Sequence, residues 1–514
     1  MWLGRGKRIS LYKPLKSFAL LLLFLLAASR QVQAQDKPDQ GVKLRPAIDI
    51  KPGELSLTIL EAVQSANKRY PSLARASAQT QLAGHEITVA KTQYLPRMDM
   101  LLQEGRASQN VTAGTILPQF LNVIPIQSGP PSNSSNFKSI FNSNDGMNFS
   151  WELIDFGRRA ANVKVARRGV DKYRSAEHLT ELDVSTRAAD TYLKLVMANR
   201  QIAAYQAALA RMKDWALVVH TLCDKGLRPG VDAARADAEV SFAKIALIEA
   251  NKEADLYAQD LAEAIGMAGT SVRTVEGPLT TSPQRTISGS VPLLKGNESL
   301  QVLERSVLER HPLAVLRRAD VDVSKARLHL LDRTWYPHLW LESAIWGRGS
   351  GNRQFVNPVA DGIIPRTGNW AVALTLQFPI MDYFKVRAQK GVERSAIAAR
   401  EAEYELAMQE LIKQDGRAKV ILNRAQETAD ETPVLVTAAV ENETKARERY
   451  RVGLTNVIEV ADAERILAKA QAEDAVSQAR VWQAMLAVAY AHGDISPFLK
   501  LVSQAQSMQP EAGK

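Results

Sequence analysis

The chain has one cysteine, Cys223, in 514 residues. A disulfide framework within the chain is therefore excluded. Aromatic residues make up only 6% of it. Beyond the first thirty residues or so, no apolar run approaches the ~20 residues that a membrane-spanning helix requires. Catalytic signatures are missing as well: no H-E-x-x-H, no phosphate-cradling glycine loop, no G-x-S-x-G and no paired cysteines. Gly347-Arg-Gly-Ser-Gly351 is a lone glycine cluster in an expected external loop and carries no nucleotide-site context. The seven histidines are scattered, so no metal set or cofactor site is expected. Cys223 reads as a small packing residue.

The N-terminus carries its own information. Arg5, Lys7, Arg8, Lys13 and Lys16 precede an apolar run from Phe18 to Ala28, and Val32-Gln33-Ala34 offers small residues for cleavage. That order reads as a secretory signal over residues 1–34, since the run is too short to span a bilayer. The formal charge of +10 includes these five cations and Arg30. Without them about +4 remains, too little to point to nucleic acid as a partner. A secreted chain with 46% apolar residues and no further apolar helix can enter a membrane only through a closed β-barrel.

The sequence also repeats itself. Ile59 to Pro71 and on to Pro96 is matched by Leu300 to Pro312 and on to Pro337, both prolines recurring at an offset of 241. Further along, Leu153-Ile-Asp-Phe-Gly157 matches Ile380-Met-Asp-Tyr-Phe384, Gly226-Leu227 matches Gly453-Leu454, and Ala264-Ile-Gly266 matches Ala491-His-Gly493, now at 227. Several landmarks at constant separation with a single indel of fourteen residues indicate a duplicated unit. The expected organisation is a first repeat over 35–266, a linker over 267–296 rich in Gly, Pro, Ser and Thr, a second repeat over 297–493, and a tail over 494–514. The linker reads as irregular structure.

Each copy switches period twice. A helical stretch leads to Pro96 or Pro337, and alternation of period two follows. Met98, Met100 and Leu102 oppose Arg97, Asp99 and Gln103; Met147, Phe149, Trp151 and Leu153 oppose Asn148, Ser150 and Glu152. In the second copy Trp370, Val372, Leu374, Leu376 and Phe378 oppose Asn369, Ala371, Ala373, Thr375 and Gln377. Leu339, Leu341 and Ile345 oppose His338 and Glu342, with Trp340 and Trp346 sharing the polar side. Such segments of ~10 residues suit barrel strands, and 109–145 and 348–368 suit the longer external loops. Residues 158–224 then read as one helix, with 3-4-3 seams at Val163, Ala166, Val170 and Tyr173 and at Ile202, Tyr205, Leu209 and Met212. Its counterpart, 385–451, contains Pro433, which is expected to kink or interrupt it. Both return through a glycine turn into helices over 231–265 and 457–492.

Helix, two strands, long helix, glycine turn and returning helix, twice over, resembles the TolC family of outer-membrane efflux proteins. The residues carrying the resemblance are Tyr94-Leu-Pro96, Tyr336-Pro337, Trp151-Glu-Leu-Ile-Asp-Phe-Gly157 and Tyr450-Arg-Val-Gly-Leu-Thr455. The resemblance implies a mainly α fold with transmembrane β. A homotrimer would share a twelve-stranded β-barrel, four strands from each chain, continued by a periplasmic α-helical barrel. It implies a non-enzymatic export duct in the outer membrane, extending into the periplasm and partnered by outer-membrane lipid, a periplasmic adaptor and an inner-membrane pump. Four strands cannot close a barrel alone, which independently calls for association. A periplasmic coiled-coil adaptor or scaffold is the alternative, sharing the signal and the long helices but not the paired alternating strands.

The same resemblance makes the glycine turns an adaptor-docking tip. Val452-Gly453-Leu454 matches the family's Val-Gly-Leu motif, whereas the first copy has Lys225 ahead of Gly226 and Leu227. A plain helix-to-helix turn explains the glycines but not a leucine exposed after each. Six and nine residues past the glycine, where the family narrows its periplasmic aperture with carboxylates, stand Asp232, Glu459 and Asp462. Rings of such acids would favour cations, with Arg228, Arg449 and Arg451 as closing partners. Acids in the first turn of a helix, stabilised by its dipole, are the simpler alternative.

Overall fold

The computed structural model describes residues 55–108, 139–275, 279, 305–350, 362–365 and 367–508. The expected signal therefore lies outside the described residues. So do much of the linker, the centres of both external loops and the end of the tail. Three-residue β1 (Leu55–Leu57) leads into α1 (Ile59–Arg69) and α2 (Pro71–Thr92). Hairpin β2 (Arg97–Ser108) and β3 (Ser139–Ile154) comes next, then α3 (Arg158–Asp224), α4 (Gly230–Ala264) and β4 (Val272–Thr274). After α5 (Arg305–Leu308) and α6 (Pro312–Arg333) a second hairpin, β5 (His338–Ser350) and β6 (Thr367–Gln377), precedes α7 (Asp382–Arg451), α8 (Val457–Ala491) and α9 (Ser496–Met508).

Local chemistry sets the helix starts. Thr58 and Glu61 form a reciprocal capping box at α1, with Glu61 N donating to Thr58 Oγ1 at 3.3 Å and Thr58 N donating to Glu61 Oε2 at 2.8 Å. The single helical segment expected over 59–94 is two helices. Pro71 cannot continue α1 but is well placed as the first residue of α2. At α3 the Asp155 carboxylate accepts from Gly157 N at 3.1 Å and from Arg159 N at 2.5 Å, satisfying free amides at the helix start. α6 is capped by His311, whose Nδ1 accepts from Leu313 N at 3.1 Å while Nε2 lies 3.2 Å from Tyr490 O. The imidazole is therefore neutral, with its proton on Nε2.

Pro433 does not interrupt α7, which runs unbroken for 70 residues. Proline strips the donor from the bond that Ala429 O would accept. Gln478 Nε2 of α8 lies 3.5 Å from that carbonyl and takes the donor's place, beside a hydrogen bond from Thr432 Oγ1 to Asp474 at 2.9 Å. The neighbouring helix thus supplies what the ring removes. One further expectation is corrected, and the tail gains an element for which none was expected. Within the linker, Val272–Thr274 pairs in parallel with Leu55–Leu57, a strand too short to show a period. In the tail, α9 is helical and buries Phe498, Val502 and Ala505.

The second sheet has the order β2-β3-β5-β6, antiparallel throughout, with β2 and β6 unpaired on their outer edges. Residues paired across strands share a face, so the register tests the alternation directly. One face carries the rows Met98, Phe149, Ser343, Val372; Met100, Met147, Ile345, Trp370; and Trp151, Leu341, Leu374. The other carries Asp99, Asn148, Ala344, Ala371; Glu152, Trp340, Thr375; and Gly146, Trp346, Asn369. Trp346 on this polar side is explained by Gly146 opposite. A Cβ there would lie 2.6 Å from Trp346 Cβ, so the missing side chain is what lets the indole pack. Leu153 departs from the expected pattern. A bulge leaves it unpaired and gives Ile154 the place opposite Leu339. β3 and β5 also run further than expected, taking 139–145 and 348–350 out of the loops.

The largest apolar cluster joins α1, α3, α4, α8 and α9 around Tyr192, Leu193, Trp482 and Phe498, the last two rings edge to face at 6.2 Å. The Tyr192 hydroxyl lies 3.1 Å from Leu57 O and 3.0 Å from Val275 O, tying β1 and β4 to this core.

Candidate functional site

Both long helices end in the same way. Gly226 and Gly453 adopt φ of 68° and 84°. Gly226 N donates to Cys223 O and Leu227 N to Leu222 O, each at 2.9 Å. Gly453 N donates to Tyr450 O at 3.1 Å and Leu454 N to Arg449 O at 2.9 Å. This paired 5→2 and 6→1 bonding closes a helix over a left-handed residue, which glycine enters without steric cost. Leu227 and Leu454 follow at 67% and 71% exposure, and Val452 is exposed beside them. Cys223 packs beneath the first turn, its thiol donating to Pro229 O at 3.2 Å.

Under the turns, Met212, Trp215, Val219, Ala236, Ala446, Tyr450, Val457 and Val460 form a small apolar core in which α3, α4, α7 and α8 meet. Tyr450 is wholly buried, edge to face with Trp215 at 4.7 Å between centroids. The Arg228 guanidinium lies 4.3 Å from the centre of the Tyr450 ring, and its Nη2 donates to Tyr450 O at 2.5 Å. On the ring's far end the hydroxyl donates to Asp232 Oδ2 at 3.1 Å. Burial, and then the Asp232 carboxylate, push this hydroxyl up to about 12. Tyr450 therefore fastens the α7–α8 hairpin to the α3–α4 hairpin from both sides.

The three acids are placed differently. Asp232 turns to Tyr450 and is half-buried. Glu459 is exposed, accepting from Arg449 Nη1 at 2.9 Å and from the Thr455 hydroxyl. Asp462, one turn further and also exposed, lies 3.4 Å from Arg465. Of the expected closing partners Arg449 pairs with an acid, while Arg228 serves Tyr450. Asn456 Oδ1 accepts from Glu459 N at 3.2 Å, so this acid does occupy the first turn of a capped helix.

Sequence reasoning passed over the most connected residues here. Tyr450 stood inside the quoted Tyr450-Arg-Val-Gly-Leu-Thr455 run but was given no role. Met212, Trp215 and Val219 extend the seam from Ile202 at the same 3-4 spacing, a signal that could have located the tip core. A buried charge cluster lies deeper still. Glu464 and Glu443 are buried. Arg447 pairs with both, and Arg211 of α3 reaches Glu464 at 3.4 Å and Gln471 at 2.9 Å. Charges on separate helices give no local pattern in sequence. Among the described residues no group of three or more His, Cys, Asp or Glu could hold a metal ion, and no helix is long and apolar enough to cross a membrane.

The sequence model of the outer membrane efflux protein family matches residues 62–267 and 303–494. Protein CyaE of Bordetella pertussis is 22% identical over 349 residues, covering 67% of this chain and 65% of CyaE, so the match spans just under two thirds of that relative's length. Similar solved structures include CusC, a protein that forms a transmembrane channel. It gives a TM-score of 0.69 at 14% identity, with 88% of this chain and 96% of that chain covered. The CmeC outer membrane channel of Campylobacter jejuni gives 0.66 at 14% identity, covering 88% and 90%. At such identities the likeness is one of fold.

Proposed function

The chain belongs to the outer membrane efflux protein family, and from that membership we infer that it is the outer-membrane exit duct of an export machine. It takes substrates from an inner-membrane pump through a periplasmic adaptor and releases them outside, catalysing no reaction itself.

The observation that carries this reading is the four-stranded sheet. One of its faces is apolar, its two outer edges are unpaired, and long paired helices extend from it. Lipid tolerates no open sheet edge, and four strands are too few to close. Three copies, joining β2 of one to β6 of the next, give twelve strands and a continuous wall. Trp370 and Leu374, 76% and 66% exposed in the single chain, would then meet lipid. The polar rows would line the lumen. A two-fold repeat, with units over 35–266 and 297–493, is supported by helix lengths of 22 and 22, 67 and 70, and 35 and 35 residues.

In this arrangement Gly226, Leu227, Val452, Gly453 and Leu454 are the surface that meets the adaptor, because exposed leucines at a tight turn are more useful against a partner than against water. Asp232, Glu459 and Asp462 surround the periplasmic aperture as rings of acids. The test is purification in mild detergent followed by mass measurement and planar-bilayer recording. A trimer with steady conductance is expected. A stable monomer that retains its β-structure, or a trimer that never conducts, would refute the reading.

A further inference from the structure

Two tryptophans of β5 stand on the polar side of the sheet, and only one is accounted for. Trp346 is buried, with Gly146 opposite leaving room for its indole. Trp340 has no glycine opposite it. Its partners across the strands are Glu152 of β3 and Thr375 of β6, and its ring is partly exposed.

The two carboxylates beside Trp340 differ. Glu152 is buried and fully engaged, with Arg158 Nη2 donating to Oε2 at 2.8 Å and His338 Nδ1 2.6 Å from Oε1. Glu342 lies two residues along β5 and therefore on the same face as Trp340. Among the described residues no cation pairs with it, and its Oε2 accepts from Thr375 Oγ1 at 2.9 Å. Thr375 is the residue paired with Trp340, so this bond draws the Glu342 carboxylate diagonally towards the position beside the indole. Arg97, in the same cross-strand row as Glu342, is two strand spacings away, about 10 Å, and is held by Asp99 at 2.8 Å. One negative charge per chain is thus left unbalanced next to an open aromatic ring.

We propose that Trp340 and Glu342 form an organic-cation site in the lumen, repeated in each chain as a collar near the periplasmic end of the barrel. The proposal rests on the channel reading above and names a class of solute that the duct would hold in passing. An ammonium carried on an apolar body fits both halves of the site. Its charge meets the carboxylate and the negative face of the indole, while its apolar groups cover the ring. A small anion would be repelled by carboxylate and ring face alike. Thr375 is a positioning residue, acting through the carboxylate it holds. The collar is also remote from the acids of the tip. Strands rise about 3.4 Å per residue, so Trp340 and Glu342 stand roughly 7 and 14 Å along β5 from His338. Glu459 and Asp462 follow the far end of the 70-residue α7, about 100 Å of helix away.

Planar-bilayer recording of the full-length trimer tests this, with tetrabutylammonium added on the external side and butanesulfonate as the anionic control. The cation should block the wild-type current at a concentration where the sulfonate has no effect. Trp340→Leu and Glu342→Gln should each raise the half-blocking concentration by about three- to fivefold. Trp340→Tyr keeps a ring face and should be blocked nearly as readily as the wild type. Thr375→Val should fall between, because the carboxylate remains but loses its hold. The double variant Glu459→Ala/Asp462→Ala should keep the block, which separates the collar from the aperture. Glu342→Gln is close to isosteric, so it decides the matter even where Trp340→Leu fails to assemble. The collar is overturned if a conducting wild type shows no preference for the cation, or if Glu342→Gln is blocked as readily as wild type. It is equally overturned if the leucine and tyrosine variants at 340 behave alike, or if the aperture variant loses the block. A protein that conducts under no condition would overturn the channel reading itself, and the collar with it.

Discussion

Replacing Tyr450 with phenylalanine isolates one bond in the tip. The ring stays, with its edge-to-face contact to Trp215 and the Arg228 guanidinium above it. Only the hydroxyl that donates to Asp232 at 3.1 Å is lost. A hydrogen bond to a charged acceptor contributes about 1.5–3 kcal/mol when shielded. Asp232 is half-exposed, which brings the expected loss to the lower end, about 1–1.5 kcal/mol. Since about 1.4 kcal/mol is a factor of ten, each chain's contribution to the closed state should weaken by roughly tenfold. In planar bilayers Tyr450→Phe should raise the open fraction at neutral pH. It should do so equally from about pH 5 to about pH 9, because a hydroxyl raised to about 12 keeps its proton there; the bond is present below the ordinary tyrosine value and lost only as pH rises through about 12. Detergent-phase trimer stability should hardly change, since no packing is removed. An unchanged open fraction would refute the assignment of this bond to closure, and a collapse of trimer stability would show that the hydroxyl supports the fold instead.

Three further outcomes are expected of the same structure. Leu374→Arg should impair membrane insertion by about 2–4 kcal/mol, whereas Ala373→Arg on the opposite face should fold and alter conductance; equal tolerance in an insertion assay would reverse the facing. Neutralising Glu459 and Asp462 together to alanine should raise single-channel conductance and lower cation selectivity with the trimer intact, whereas Glu473→Ala should do neither. Gly493→Ala should lower the urea midpoint of the helical signal more than Gly226→Ala. Both pay about 1–2 kcal/mol for a left-handed backbone, but only at Gly493 would a Cβ meet Pro312 at 2.7 Å and His311 at 2.9 Å, adding about 1–3 kcal/mol.

How far the sequence went depended on whether a feature was local. The bounds of α3 were read to the residue, because 158–224 has no proline and Gly226, two residues past its end, makes a left-handed turn that stops the helix. The face assignments of β2, β5 and β6 held because period two leaves little room for error once one face is apolar. Leu153 failed because a bulge spends one residue without a partner, and nothing in the alternating letters marks the slip. The interruption expected at Pro433 failed for a different reason. Its cost was judged on α7 alone, whereas Gln478 on α8 meets the bare Ala429 carbonyl. Tyr450, Arg211 and Glu464 were missed because their roles are made between helices, where spacing along one chain carries no signal. The acids at 232, 459 and 462 were located by resemblance, but their individual pairings depend on how the helices meet.

The two free edges of the sheet differ from each other, β2 at one side and β6 at the other. A ring built from them uses three equivalent head-to-tail seams, each taking one edge from either neighbour. A chain with a ruined β6 edge would therefore still offer a sound β2 edge and still be recruited, spoiling the ring it joins. Co-expressed in equal amount with intact chains, it would leave only about one assembly in eight free of a defective member. Lesions at that edge should thus be genetically dominant over the wild-type allele, while lesions that prevent the chain from folding should be recessive.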